Sequence, residues 1–471
     1  MNYLCKIVVI FSNMKRKQFV KTLGLGIASV YTGSILTGCK KSSVNEIDQP
    51  SHLGNVPDPT NYAELKNKQL VDGYTDKLSY YPNETVKLYV NASVVGKFKL
   101  PLNNCTGAPV DYLVSDFKSQ NHGTNAYENG FQYTESSLYK ISEGRKSGLF
   151  FWADKIPFVV KNPNKNGDIV VVLPSNTDNA YNSIGGKSSY TNPLSPTLSF
   201  QRPYSFQSFS KSFWPWIETQ PYKIDYIVDS DLDDYNNFSY AKLLIIPGHS
   251  EYWTRTAREN FDRFIESGKD AMVLSGNTMW WQIRYSDDGS KMICYKDIND
   301  PVTDSTLKTM LWTTKSLRYP IENSVGANFD FGGYGTQKGV GWDGYKILAQ
   351  NSPLLKGTNL KNEDVIKLPT SEYDGTPVKY VSGSAHPKVN NDTLKFHRIE
   401  LIGYNEGFRT VKTVGTFIVV QKKQTSGVII NTGSTDWCSP NGMGGEHGDI
   451  IKKITLNGID NLLNKQNVFS S

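Results

Sequence analysis

The order strand, loop, helix, strand, loop between Lys242 and Arg284 constrains this chain more than any other feature. Leu243 to Ile246 is a short apolar run that reads as a buried strand, and Pro247-Gly248 stops it. His249, Glu251, Tyr252 and Trp253 follow at once. A helix comes next, because Ala257, Phe261, Phe264 and Ile265 recur on one face at a period of about 3.6 residues, and Gly268 supplies its stop. Ala271 to Leu274 is a second apolar run, ended by Ser275-Gly-Asn277. In open α/β sheets, ligands bind beyond the carboxyl ends of the strands. Both loops are therefore expected on one rim. That makes His249, Glu251 and Asn277 the catalytic candidates, with Trp253, Trp280, Trp281 and Arg284 as substrate-binding candidates. An Asn beside two Trp suits a small polar ligand held against an apolar wall. Arg284 suits a carboxylate held in bidentate fashion, or an ion pair with an Asp of the 229–234 cluster.

The rest of the chain divides by rhythm. From Gly73 to about Pro221 the pattern is all-β: Val86–Val90 and Pro109–Val114 alternate with period two, and Ile156–Val160 and Ile169–Leu173 are further strands. A β-sandwich over 71–221 fits. From Ile224 strands alternate with helical patterns, with strands expected at 224–228, 243–246, 271–274, 416–420 and 427–431 and a closing amphipathic helix at 450–463. The expected fold class is α+β and multidomain. The sandwich packs on a C-terminal α/β domain over 222–464 with a mostly parallel sheet, glutamine-amidotransferase-like or flavodoxin-like, and 465–471 form a tail. The Gly-rich stretches Phe331–Gly335 and Gly339–Gly344 read as long rim loops.

The net charge of +6 belongs to the N-terminus. Residues 1–38 hold Lys6, Lys15, Arg16, Lys17 and Lys21 and no acid, and removing those five charges leaves +1. A nearly neutral remainder gives no electrostatic footprint for nucleic acid. The same segment reads as a secretion signal: a basic Met14-Lys-Arg-Lys, an apolar Leu23–Leu36 and Leu36-Thr-Gly-Cys39, which resembles a bacterial lipobox. The expectation is export, lipidation at Cys39, a tether over 39–70 and anchoring in the bacterial cell envelope through lipid alone. Cys105, Cys294 and Cys438 have no metal-site spacing and form no disulfide framework. Ser250 lacks the second Gly of a nucleophile elbow. Asp229–Asp234 has Asp234 where a calcium loop needs Gly.

Pro247-Gly-His-Ser-Glu-Tyr-Trp253 together with Ser275-Gly-Asn-Thr-Met-Trp-Trp-Gln-Ile-Arg284 resembles the large (beta) subunit of N,N-dimethylformamidase and its relatives. Gly73-Tyr-Thr-Asp76, Pro174–Asn182 with Gly185-Gly186, Arg202-Pro203, Asp225-Tyr226 and Gly433-Ser-Thr-Asp-Trp437 agree with that family, over roughly residues 70 to 464. The resemblance implies an amidohydrolase with one iron held by two tyrosinates and a glutamate. By motif these are Tyr252 and Glu372, with Tyr295 as the second tyrosine and Tyr285 and Tyr181 open as rivals. Hard trivalent iron prefers oxygen ligands and activates water without redox change. The active amidase also implies a His two residues before the glutamate. Thr370 stands there, which leaves His249 or His397 as the base. The expected ligand is a small amide. The alternative is a glycan or other small ligand bound without catalysis on the Tyr/Trp rim, and oligomerisation stays open.

Overall fold

The computed structural model describes residues 58–65, 68–335, 342 and 344–470. The expected leader, Cys39, most of the tether and Gly339 to Asp343 apart from Trp342 lie outside the described residues.

The N-terminal part is built from two facing sheets. Val71–Thr75, Thr85–Ala92 and Ser137–Lys140 form one. Ser79–Tyr80, Ile156–Val160, Gly148–Trp152, Gly96–Asn104 and Pro109–Phe117 form the other, in that order. Their inner faces share one core that includes Val86, Leu88, Leu100, Leu102, Trp152 and Phe158. Thr85–Ala92 shows why: its residues alternate between buried and open along the strand, as period two requires.

Ile169–Leu173, expected in the sandwich, instead joins the main sheet, where it pairs in parallel with Ile224–Val228 and Leu243–His249. That sheet has 11 strands. Its parallel half runs Ile224–Val228, Ile169–Leu173, Leu243–His249, Asp270–Gly276, Val428–Asn431. The next neighbours, Lys412–Gln421, Arg398–Phe408, Asn328–Tyr334 and Glu372–Gly375, are all antiparallel. Gly344–Ile347 and Val365–Lys367 extend from Arg398–Phe408, also antiparallel. The C-terminal part is therefore a mixed sheet in a β-rich protein, and the expected α/β domain with a mostly parallel sheet is overturned. The cause is burial. Thr413–Val420 is buried on both faces, and such a strand reads as a continuous apolar run whichever way its neighbour points.

Two helices cover the main sheet. Arg255–Glu266 packs Ala257, Phe261, Phe264 and Ile265 against Val170, Leu244, Ile246 and Val273. Gly448–Leu463 packs Ile451, Ile454 and Leu462 with Val171, Ile245, Met272 and Leu274 on the opposite face. Successive strand residues go to opposite cores, as the pleat demands. Burying each Phe contributes about 1.5–3 kcal/mol. The first helix starts where Thr254 Oγ1 accepts the Ala257 N–H at 3.0 Å, a side-chain cap for an otherwise orphaned donor.

A smaller sheet stands over the rim of the main one. It runs Thr197–Ser199, Lys291–Ile293, Trp281–Tyr285, Tyr252–Thr254, and its core holds Ala180, Leu198, Tyr252, Ile283, Met292 and Cys294. Among the described residues no helix is long and apolar enough to cross a membrane, and Cys105, Cys294 and Cys438 are free thiols.

Candidate functional site

The two loops of the central unit leave the sheet side by side. His249 and Gly276 are register partners at the ends of adjacent parallel strands, so His249 and Asn277 share one rim. Gly248, with φ of 79°, makes the turn that a side-chain-bearing residue resists. The loops then bond to each other and to the short helix Ser175–Tyr181. Ser250 N–H donates to Ser275 Oγ (3.0 Å), Met279 N–H to the Ser250 carbonyl (2.9 Å) and Glu251 N–H to Thr177 Oγ1 (2.8 Å).

Glu372 arrives from the antiparallel end of the sheet. It is carried in by Thr435, whose N–H donates to the Glu372 carbonyl at 3.1 Å. Gly276 makes room for this crossing. A Cβ there would lie 2.5 Å from Thr435 N and 2.9 Å from Glu372 O. Gly276→Ala is expected to lower stability by about 1–3 kcal/mol through overpacking. Urea unfolding checks this, and an unchanged midpoint would show that the crossing is loose.

His249 lies between two carboxylates. Its Nε2 is 3.5 Å from Glu251 Oε2 and 3.6 Å from Glu372 Oε2. Those separations are too long for good hydrogen bonds, and both ring nitrogens lack a protein partner. Phe209 meets the imidazole edge-on at 5.2 Å and Tyr181 lies 5.4 Å from it. Tyrosines line the Glu251 side. Tyr190 OH donates to Glu251 at 2.9 and 3.0 Å, Tyr252 OH donates to Tyr190 at 2.8 Å, and Tyr181 stacks on Tyr190 at 4.3 Å. Lys296 Nζ sits 3.8 Å over the Tyr190 ring and 4.7 Å over Trp281. On the other side Asn277 Nδ2 donates to Glu372 Oε2 at 3.0 Å.

Burial dominates the electrostatics. It lowers His249 to about 3, so the imidazole is neutral at pH 7. Burial also holds Glu251 above the usual carboxylate range; the Lys296 ammonium opposes this and the Glu372 charge adds to it. Glu372 is raised by burial against the hydrogen bond from Asn277. Tyr181, Tyr190 and Tyr252 are all pushed up, first by burial and then by Glu251.

The helix bearing Tyr181 is tied down by Asp178, which accepts from Tyr204 OH (2.6 Å) and Gln207 N–H (3.1 Å). Burial raises Asp178 from 3.8 to about 7. The folded state thus holds this proton more tightly than the unfolded chain. Its contribution to stability is full below 3.8 and is lost as pH rises to about 7. Asp178→Asn is expected to flatten the pH slope of stability across that window, whatever its constant offset. Equal slopes in urea unfolding of variant and wild type would refute the assignment.

The structure brings His249, Glu251, Asn277 and Glu372 together, with Tyr252 joined to Glu251 through Tyr190. It does not bring in Tyr295, whose backbone N–H donates to Thr309 and whose hydroxyl has no contact with the cluster among the described residues. The next residue, Lys296, reaches it instead: the strand ends at Ile293 and Lys296 lies in the left-handed region, with φ of 57°, which turns its side chain over the Tyr190 ring. Tyr285 bonds Asn176, while Tyr181 does lie at the cluster. The substrate-binding candidates are spread over several surroundings. Trp253 is buried in the helix core and donates to Ser250, Trp280 packs on Phe329, and Trp281 lies under Lys296. Arg284 pairs with Asp300 at 2.7 Å rather than with the 229–234 cluster. Thr370 is buried and bonds Leu368 and Ser434, and His397 bonds Lys422 through its backbone. His249 is therefore the histidine of this site. Sequence reasoning missed Tyr190, Lys296, Phe209 and Asp374. The pair Gly185-Gly186 ahead of Tyr190 was the one available signal, in a stretch with no period.

Residues 151–444 match the family model of N,N-dimethylformamidase beta subunit-like proteins, C-terminal part. The chain belongs to this family. A search of curated proteins gives no match. The matched span contains every residue of the cluster, from Tyr181 to Glu372, and the Ser434–Thr435 segment that carries Glu372 in.

Among the described residues no three His, Cys, Asp or Glu side chains stand close enough to hold a metal together. An iron of the kind the resemblance implies would be held by two phenolic oxygens and one carboxylate. The donor set fits that demand, with Glu372, Tyr252 and either Tyr190 or Tyr181 as oxygen donors around unpartnered buried polar atoms of His249 and Asn277. Oxygen donors of this kind suit a hard trivalent ion.

Proposed function

We propose that this protein is an exported hydrolase of a small amide or other C–N bond, with an iron held by Glu372, Tyr252 and a second tyrosine, Tyr190 or Tyr181. The observation that carries the reading is the buried His249 between Glu251 and Glu372. Such an ion, when bound, polarises the amide carbonyl and acidifies water. The chain's own groups handle the protons. His249, neutral at pH 7, accepts the proton of the attacking water at Nε2 and returns it to the leaving nitrogen. Glu251, fixed by Tyr190, and Glu372 face Nε2 at 3.5 and 3.6 Å along the path of that proton. Phe209 and Tyr181 flank the imidazole and exclude bulk water. A ligand held on a tryptophan rim is less well supported, since Trp253 and Trp280 are buried.

Elemental analysis of the purified protein, its visible absorbance and assay on small amides test this reading. Iron, a tyrosinate charge-transfer band and hydrolysis are expected. A colourless, metal-free protein that cleaves no amide would sink it. The Leu36–Cys39 lipobox and the basic leader support anchoring in the cell envelope. Cys39→Ser is expected to release the protein from the membrane fraction, and unchanged fractionation would overturn the anchor.

A further inference from the structure

Lys296 brings to the site a half-buried cation that no proton step employs. Its backbone lies in the left-handed region, with φ of 57°, which a residue bearing a side chain adopts at a cost. Its ammonium lies among three rings, 3.8 Å over Tyr190, 4.7 Å over Trp281 and 5.3 Å over Tyr252. Nζ also donates to the Ser189 carbonyl at 3.2 Å. Tyr252 and Trp281 are partners across the small sheet. Tyr190 lies in the stretch 182–196, between the Ser175–Tyr181 helix and the Thr197–Ser199 strand. One ammonium therefore ties that stretch to the sheet. A cation over a ring face is attracted by the ring's quadrupole, more strongly where water is excluded.

The tie matters because Tyr190 spans the wall of the site. Tyr190 is 49 % exposed, yet its hydroxyl donates to Glu251, which is 1 % exposed. Tyr181 stacks on the Tyr190 ring at 4.3 Å. Two groups so close to one ring centre cannot share a face, so Tyr181 and Lys296 grip the ring from both sides. The stretch is also held near its ends. Arg202 donates to the carbonyls of Ile184 and Lys187, and Cys294 N–H donates to the Pro196 carbonyl at 2.7 Å. In its middle Ser189 N–H donates back to Ala180, on the preceding helix. Lys296 and the Tyr190 hydroxyl make the contact with the opposite wall.

We propose that Lys296 is a positioning residue: its ammonium holds the Tyr190 ring, so that the Tyr190 hydroxyl fixes Glu251 beside His249, and the stretch 182–196 opens over the site when that grip is lost. The effect on turnover rests on the amide-hydrolase reading; the effect on the resting protein does not.

The test uses the full chain with Lys296→Met, which keeps an unbranched apolar stem and removes the ammonium, and Lys296→Arg, which keeps a cation able to stack on rings. In Lys296→Met, amide hydrogen exchange across 182–196 is expected to rise by about tenfold or more, with the main-sheet strands unchanged. On the small amide that wild type cleaves best, kcat is expected to fall by about 10- to 100-fold with KM nearly constant. Lys296→Arg is expected to recover most of both. Unchanged exchange across 182–196 in Lys296→Met overturns the inference. Faster exchange throughout the chain also overturns it, since the lysine would then only stabilise the fold. Local opening with wild-type kcat removes the link to Glu251 and overturns the positioning role. Local opening in a protein whose wild type cleaves no amide supports the grip and overturns the hydrolase reading alone.

Discussion

Glu372→Gln is expected to lower kcat/KM by about 10²- to 10⁴-fold while leaving the protein as stable as wild type or more so. The two effects separate because this carboxylate is buried beside a second one. Burial raises Glu372, and its charge in turn raises Glu251. A neutral isostere removes the desolvation cost and the repulsion, and its amide oxygen can still accept from Asn277 Nδ2. What is lost is the charge that binds an ion and faces His249 at 3.6 Å. Activity and stability should therefore move in opposite directions, as where a site is built at the expense of the fold. Steady-state assay on the best small amide and urea unfolding read the two arms. Wild-type kcat/KM in the variant would remove Glu372 from the chemistry.

Arg202→Ala is expected to cost about 3–5 kcal/mol of stability and to remove activity without touching the reactive cluster. Arg202 is 1 % exposed. It donates to the carbonyls of Asn179, Ile184, Lys187 and Ser199 and to Asn179 Oδ1, between 2.8 and 3.2 Å. Those carbonyls belong to the stretch that runs from the Tyr181 helix past Tyr190. Without the guanidinium these carbonyls lose their shared donor, although Asn179 O keeps the Asn182 N–H, and the tyrosine wall loses its frame. Lys in this place is expected to rescue only a fraction, since a point charge cannot serve that many acceptors held in a fork. Urea unfolding and near-UV circular dichroism of the buried tyrosines check the outcome. A midpoint equal to wild type would show that the stretch holds itself.

Much of this was legible from local pattern. The strand at 243–246, the apolar stripe of the following helix and the second strand at 271–274 are statements about period and stops, which a chain carries in its own order. Because a parallel unit returns both strands in one direction, the shared rim of His249 and Asn277 followed as well. The family resemblance added Glu372, which no local rule would have placed near them.

The remainder depended on packing partners. Thr413–Val420 is buried on both faces because helices and loops cover both sides of the sheet. Its composition says buried and says nothing about direction, so the antiparallel half was unreadable. Tyr190 and Lys296 lie in segments without period, and their roles come from a stack at 4.3 Å and a cation over a ring at 3.8 Å. The choice of Lys296 over Tyr295 hung on the left-handed backbone at Lys296, with φ of 57°, past the end of the Lys291–Ile293 strand. Sequence by itself determined which short segments are strands or helices and which loops carry polar residues, because those follow from spacing along one chain. Only the tertiary structure decided which side chains meet, because that depends on strand direction, register and close approaches such as Gly276 against Thr435, contacts between segments far apart in sequence.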